Sequence, residues 1–454
     1  MIRLIFFLAL LSGFSHAGPA VHERVLENGL KVLVKEDHRA PVVVSQIWYE
    51  VGGSYEFEGI TGVSHILEHM MFKGTKNHAP GDFSRIIAEN GGRENAFTGR
   101  DYTAYFQRLE KSRLRISFEL EADRMRNLQL DPAEFEKERE VVLEERRMRT
   151  DDKPRSKAFE YFLALAHTNG GYRNPVIGWP VDIRGLRVAD LQEWYERWYA
   201  PNNATLVVAG DVDPEAVFSL AEEYFGPLPS GDPVQPRIRT EVEQLGTRRM
   251  TIRLPGELPY LIMGYKVPVL KTAEKEKDAY ALEVLAGILD GGNSARLAGR
   301  LVRGSQMAVS AGAGYDLYAR MGSLFMFEAT PAEGYSLSDL ETALKSEIRE
   351  LQTSPVAPEE LARVKAQVLA NSVFERDSVF YQAMQLGTLE TVGLGWKRVD
   401  EYEERISQVT AEDVLASAKQ FLVEDNLTVC FLDPLPMNLS QADGSELGGG
   451  VHDD

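Results

Sequence analysis

The hydrophobic positions of the chain change period repeatedly, and each change predicts an element. From Arg24 to Glu36 apolar and polar residues alternate on either side of Asn28-Gly29, the pattern of a hairpin with a tight turn. Val42 to Val51, rich in Val, Ile, Trp and Tyr, predicts a strand that Gly52-Gly53 ends. The next apolar run, Gly62 to Thr75, has a helical period. Asp82 is expected to cap a helix reaching Glu89, where Asn90-Gly91-Gly92 stops it. Asn95 to Thr98 and Thr103 to Phe106 predict two short strands joined by Gly99-Arg100-Asp101. Helices are expected from Arg113 to Leu128 and from Pro132 to Thr150, the second with Asp131 as its cap and Pro132 in its first turn. Leu186 to Tyr199 predicts a further helix and Ala204 to Ala209 a buried strand.

Gly226 to Pro233 is dense in Pro and Gly, and the pattern restarts after it. Strands are expected near Arg248 to Arg253, Tyr260 to Lys266 and within Met307 to Phe327, and a last one from Leu427 to Leu432. Helices are expected from Ala273 to Leu289, Leu337 to Leu351, Pro358 to about position 374, and Ala411 to Phe421. Asp190-Leu191 with Asn203 to Val208 corresponds to Asp413-Val414 with Asn426 to Phe431. Both blocks are offset by 223 positions (413 − 190 and 426 − 203). One offset shared by a helix and the strand after it predicts two copies of one α+β unit. The expected fold is therefore α+β, with two homologous domains, each a mostly antiparallel sheet packed with helices. Their boundaries are set at 18–228 and 241–436, with a linker over 229–240.

Composition narrows the class. A chain of 454 residues exceeds one ordinary core, and its formal net charge of −19, with no basic run interleaved with aromatics, argues against nucleic acid. Arg3 precedes the apolar run Leu4 to Leu11, and small residues lead to Ser15-His16-Ala17. That is the pattern of a secretory signal peptide over 1–17, cleaved after Ala17. The run is too short for a membrane anchor. Cys430 is the only cysteine, so no disulfide forms within the chain, which suits an exported protein of a bacterial periplasm. The Gly-rich acidic end, 437–454, is expected to be disordered.

The candidate chemistry lies in the Gly62 to Thr75 run. On a helix, His65 and His69 stand one turn apart on one face, and Glu68 shares it. Two imidazoles so spaced can hold one zinc ion, and the carboxylate beside them can take a proton from a water that zinc has acidified. The order H-x-x-E-H is that of the inverted zincins. Two core histidines at helical spacing are the competing reading. A catalytic zinc needs a third protein ligand, and the Pro132 to Thr150 helix offers many glutamates. Glu138 and Glu145, seven apart, point the same way, but spacing alone does not choose between them and their neighbours.

These residues resemble the pitrilysin-type zinc peptidase family, which includes insulin-degrading enzyme and the mitochondrial processing peptidase. The likeness rests on Gly62 to Thr75, on Gly91-Gly92 with Asn95-Ala96-Phe97-Thr98, on Ala122-Asp123-Arg124-Met125, and on Glu138 to Glu145. It covers essentially the whole mature chain and is looser in the second half. The resemblance implies that His65, His69 and Glu145 bind one Zn2+ per chain, the 75 residues between His69 and Glu145 fitting the family's gap. It implies that Glu68 is the general base, with Glu138 assisting. It further implies that Asn95 and Ala96 lie on a strand edge that pairs with a peptide substrate. Phe72 resembles a wall of the substrate pocket, although a core Phe reads equally well.

The second half carries no H-x-x-E-H, and Asn371 stands where a second Glu145 would be (Pro132 aligned with Pro358, an offset of 226). The resemblance also implies a substrate contact from Arg303, while Val309 stands near where the family has a Tyr. The two domains would form half of a clamshell, so a homodimer, or a heterodimer with a second family chain, is expected. The implied activity is that of an exported zinc endopeptidase acting on peptides or small unfolded proteins. The alternatives are an inactive scaffold subunit of a heteromeric complex and a peptidase that matures one dedicated peptide.

Overall fold

Each half of the chain folds around one sheet that is antiparallel except for a single parallel pair. The computed structural model describes residues 21–234, 239–256 and 258–436; the expected signal peptide and acidic tail lie outside them. The first sheet holds β1 (Val21–Val25), β2 (Lys31–Glu36), β3 (Val42–Tyr49), β4 (Arg93–Thr98), β5 (Thr103–Glu110) and β6 (Ala204–Gly210), in the order β1-β2-β6-β3-β5-β4. The second holds β7 (Arg248–Pro255), β8 (Tyr260–Val267), β9 (Ala308–Gly314), β10 (Ser323–Pro331) and β11 (Leu427–Leu435), in the order β7-β11-β8-β10-β9.

The two orders are one topology used twice. In the first sheet β2 runs parallel to β6, and β6-β3-β5-β4 continue antiparallel. In the second, β7 runs parallel to β11, and β11-β8-β10-β9 continue antiparallel. β6 and β11 begin at 204 and 427, the offset of 223 expected from sequence. The β1–β2 hairpin adds a sixth strand to the first sheet.

Among the described residues, eight helices belong to the first half: α1 (Val63–Met70), α2 (Asp82–Glu89), α3 (Leu114–Asn127), α4 (Pro132–Arg146), α5 (Pro154–Ala166), α6 (Pro180–Gly185), α7 (Val188–Trp198) and α8 (Pro214–Tyr224). The second half supplies α9 (Glu276–Asp290), α10 (Leu337–Thr353), α11 (Pro358–Arg376), α12 (Val379–Thr391), α13 (Arg398–Gln408) and α14 (Ala411–Phe421). Asp131 caps α4 as expected, accepting from the N–H groups of Ala133 and Glu134. Asp82 does not cap α2. Gly81 holds that position, and the Asp82 carboxylate turns back to accept from the N–H of Ala79.

Two helices cross between the halves. α5 lays Ala158, Phe162 and Ala166 against Ile262, Leu324 and Cys430 of the second sheet. α12 lays Ala383, Leu386 and Leu389 against Leu33, Val44, Trp48 and Val207 of the first. Burying a leucine side chain in this way contributes about 1.5–3 kcal/mol. Each sheet is thus covered on one face by a helix from the other half.

Candidate metal centre

The start of α1 is fixed before its side chains are considered. Gly62 sits at φ 90°, and a Cβ there would lie 2.7 Å from the carbonyl oxygen of Ile177. Gly178, also at φ 90°, faces it just as closely, so the two backbones touch where only glycine fits. The buried Glu56 carboxylate accepts from the N–H groups of Gly62 (2.7 Å) and Ser64 (2.9 Å), satisfying donors that the helix leaves open. Val63, Ile66, Leu67 and Met70 then bury one face in the core. His65, Glu68 and His69 are left on the other.

α4 brings Glu145 to that face. Its Oε2 lies 3.8 Å from Nε2 of His65 and 3.5 Å from Nε2 of His69. These separations exceed a hydrogen bond. They approach the roughly 3.3 Å between ligand atoms of a tetrahedral zinc site with bonds of about 2.0–2.1 Å. All three ligand atoms lie within 4.8 Å of one another. One carboxylate oxygen and two imidazole nitrogens converging without bonding each other are a donor set suited to zinc. The other oxygen of Glu145 pairs with Arg149 at 2.6 Å.

The carboxylates around the two rings give the site a field that attracts positive charge, a proton on His69 or a cation in its place. Burial, with His69 adding to it, lowers the His65 pKa to about 4, so its ring is neutral near pH 7. Burial opposes charge on His69, but Glu145 and Glu138 outweigh it and hold that ring above its ordinary value. The nearby His69 ring holds the Glu145 carboxyl below its usual range, against its partial burial. Burial pushes Glu68 up, opposed by the hydroxyl of Thr98, which donates to its Oε2.

The other sequence-derived residues divide. Glu138 is not at the reacting position: one oxygen lies 3.1 Å from Nδ1 of His69 and the other 2.6 Å from Nζ of Lys73. It acts through His69, by holding the ring. Asn95 and Ala96 lie on β4, the outer strand of the first sheet, with one edge unpaired. Phe72 packs against Phe83, Tyr105 and the guanidinium of Arg124, as a core residue does. Arg303 is not brought to this site. It is exposed on the helical turn Leu297–Gly304 and donates to the carbonyl of Asn293. Val309 is exposed on β9, at the edge of the second sheet. Asn371 lines a cavity of 680 Å³ between α9, α11 and α12. Thr98, Lys73 and Arg149 support the site without being singled out by sequence. Only the β4 strand's approach to α1 reveals Thr98.

The comparisons with known proteins agree with this division. Residues 31–178 match the family described as insulinase (peptidase family M16), and residues 185–368 match the peptidase M16 inactive domain. The chain is 31% identical over 422 residues to the zinc protease PqqE of Helicobacter pylori, covering 91% of this chain and 93% of that one. It is 24% identical over 399 residues to the uncharacterized zinc protease YmxG of Bacillus subtilis, covering 88% and 95%. Among solved structures, a protease from Helicobacter pylori superposes with a TM-score of 0.86 at 28% identity, over 92% of this chain and 100% of that one. The first half of the periplasmic protease PqqL from Escherichia coli shares the fold, with a TM-score of 0.77 at 20% identity over 91% of each chain. With its histidine helix in the segment that matches the insulinase model, and 31% identity to PqqE over 91% of its length, the chain belongs to peptidase family M16.

Proposed function

We propose that the chain is an exported zinc endopeptidase that hydrolyses peptides or small unfolded proteins. The observation that carries this reading is the convergence of His65, His69 and Glu145, with Glu68 beside them on the same helix face. Bound there, zinc would supply Lewis acidity, making water a stronger acid and stabilising negative charge on a carbonyl oxygen.

The chain's own residues do the rest. Glu68, oriented by the Thr98 hydroxyl, accepts a proton from the attacking water and hands it to the leaving amine. Its burial raises its proton affinity, which suits a group that must both take and return a proton. Glu138 accepts from Nδ1–H of His69 and so turns Nε2 toward Glu145. The open edge of β4 at Asn95 and Ala96 offers main-chain groups to an extended peptide, holding it without reading much sequence. The second half, which lacks the ligand set, serves as wall rather than catalyst. A second chain, a copy of this one or a related metal-free one, would complete the enclosure. The exposed Val141 and Met148, which flank Glu145 along α4 and the turn after it, support a covered site. Export is supported by the charged and then apolar segment that ends at Ala17.

Glu68→Gln tests the reading. The variant should keep stoichiometric zinc and lose peptide hydrolysis by several orders of magnitude, and chelation should abolish the activity of the unaltered chain. A Glu68→Gln protein that still cleaves peptides would rule out the mechanism. A zinc-loaded native chain that cleaves nothing, alone or with its copurifying partner, would favour a scaffold role.

A further inference from the structure

A second concave site lies between the halves, and its charge runs against that of the protein. It is a cavity of 450 Å³ bounded by α5, the loop from Arg173 to Ile177, the turn after β4, and residues of β8 and β10. Arg100, Arg155 and Arg173 line it. In a chain of net charge −19, arginines are expected to find carboxylates. Among the described residues Arg100 forms no ion pair and only stacks over the ring of Tyr172. Arg155 stacks over the ring of Tyr260 at 4.3 Å and donates to the Thr330 hydroxyl, again with no carboxylate partner. Arg173 donates to the carbonyl of Thr168 at 3.0 Å, and its one carboxylate partner among the described residues is Glu58, at 3.7 Å on the exposed surface.

Of the two carboxylates in the lining, Glu160 is spent on another arginine and Glu328 keeps its charge, so three guanidinium groups face one uncommitted carboxylate. Both oxygens of Glu160 are taken by the buried Arg146 at 2.7 Å. Glu328 accepts from the Tyr260 hydroxyl at 2.5 Å. One further donor in the lining has no acceptor at all. Asn174, 3% exposed, lines the cavity, and its Oδ1 faces Trp179 Nε1, which can only donate. The amide nitrogen is thereby left buried without a partner. Phe159 and Leu163 give the cavity an apolar wall. The negative charge of the rest of the molecule is screened over about 8 Å at physiological salt, so these guanidinium groups set the local potential.

Two segments that line the cavity also serve the candidate metal centre. Arg100 comes two residues after Thr98, which holds Glu68, and Thr150, also in the lining, comes five after Glu145. We propose that this cavity is a carboxylate-binding subsite of the peptidase, filled by an acidic side chain or by the terminal carboxylate of the peptide. The inference rests on the peptidase reading for the identity of its ligand. Guanidinium pairs match carboxylates in geometry as well as charge, and the aliphatic part of an acidic residue would lie on Phe159.

The test is binding of short peptides, carrying a neutral dye at the N-terminus, to the zinc-loaded Glu68→Gln chain, read by anisotropy. Three otherwise identical peptides are compared: one with a glutamate and an amidated C-terminus, one with glutamine and a free C-terminus, and one with glutamine and an amidated C-terminus. One or both acid forms should bind about tenfold tighter than the uncharged form. Which form gains identifies the source of the carboxylate. In the combined Arg100→Gln, Arg155→Gln and Arg173→Gln variant, folded by its circular dichroism, the advantage should vanish while the uncharged peptide binds as before. Equal binding of all three peptides to the unaltered cavity overturns the proposal whatever becomes of the variant, and so does an advantage that survives loss of the arginines. Hydrolysis by the native chain is followed in parallel. Cleavage without an acid advantage sinks the subsite alone, and an arginine-dependent advantage without cleavage sinks the peptidase reading alone.

Discussion

Glu138 stands behind His69, its Oε2 3.1 Å from Nδ1, while its other oxygen holds Lys73. On the proposed reading, the carboxylate fixes the tautomer of the His69 ring and makes its far nitrogen a better donor to zinc. His65 has no such support, since its Nδ1 is buried without a partner. The zinc affinity of the site should therefore depend on Glu138 more than its distance from the metal position suggests. Glu138→Gln is expected to weaken zinc binding about 10-fold to 100-fold, measured by competition with a chelator of known affinity. Unchanged affinity would mean that the ring is held by packing alone.

Gly387 of α12 lies directly on Trp48 of β3. A Cβ at Gly387 would come within 2.1 Å of the indole ring, which is fully buried and tied by its N–H to Gln46. Alanine would gain about 1 kcal/mol of helix propensity. Overpacking a core costs about 1–3 kcal/mol, and here neither the ring nor the helix has room to yield. Gly387→Ala should destabilise the protein by about 1–2 kcal/mol in a denaturant titration. A stabilised variant would show that α12 rides loosely on the first sheet.

That helix also shows what the sequence conceals. Strands such as β7 and helices such as α14 are legible because one face is covered and the other wet, strands such as β3 and β6 because they are runs rich in β-branched and apolar residues, and α4 because the Asp131 cap announces its start. No element is expected from sequence between Thr150 and Leu186, yet α5 lies there. Its apolar face finds its partner only on the sheet of the other half, and so does that of α12. The histidine pair is legible from spacing, because a helix turn is a local object. Glu145 is not, because α4 carries glutamates on every side and only its tertiary contact with α1 distinguishes one of them. Arg303 is the converse case: a likeness of local sequence implied a substrate contact, and in the fold it lies exposed on a helical turn of the second half, donating to the carbonyl of Asn293.

Glu241 ties the chain between the two sheets to the end of α5. Burial opposes its ionisation, but Lys266 at 2.6 Å and the N–H groups of Thr168, Asn169 and Gly170 overcome it and lower its pKa to about 2. A carboxyl whose folded pKa lies below its unfolded value of 4.5 stabilises the fold above pH 4.5 and loses that contribution as pH falls toward 2. A shift of this size corresponds to at most about 3 kcal/mol, less what solvent screening takes from a partly exposed group. Glu241→Gln should be less stable than the native chain at pH 7, and the difference should shrink steadily below pH 4.5 in parallel urea titrations. A difference independent of pH would assign the effect to lost hydrogen bonds and not to charge.

Asp101 and Arg320 join the halves beneath the turn that follows β4. The guanidinium lies 3.3 Å from Oδ1 of Asp101 and reaches Ser54, while Tyr172 donates to the other carboxylate oxygen, and both charged residues are buried. Removing one charge strands the other in the interior, which costs about 3–5 kcal/mol, whereas removing both relieves that penalty. Asp101→Asn and Arg320→Met should each destabilise strongly, and the double variant should be destabilised by less than the sum. The turn also carries Thr98 toward Glu68, so the single variants should lower kcat at temperatures where they remain folded. Additive destabilisation in the double-mutant cycle would show that the two residues do not act as a pair. Full activity of folded Asp101→Asn would show that the junction between the halves has no hold on the base.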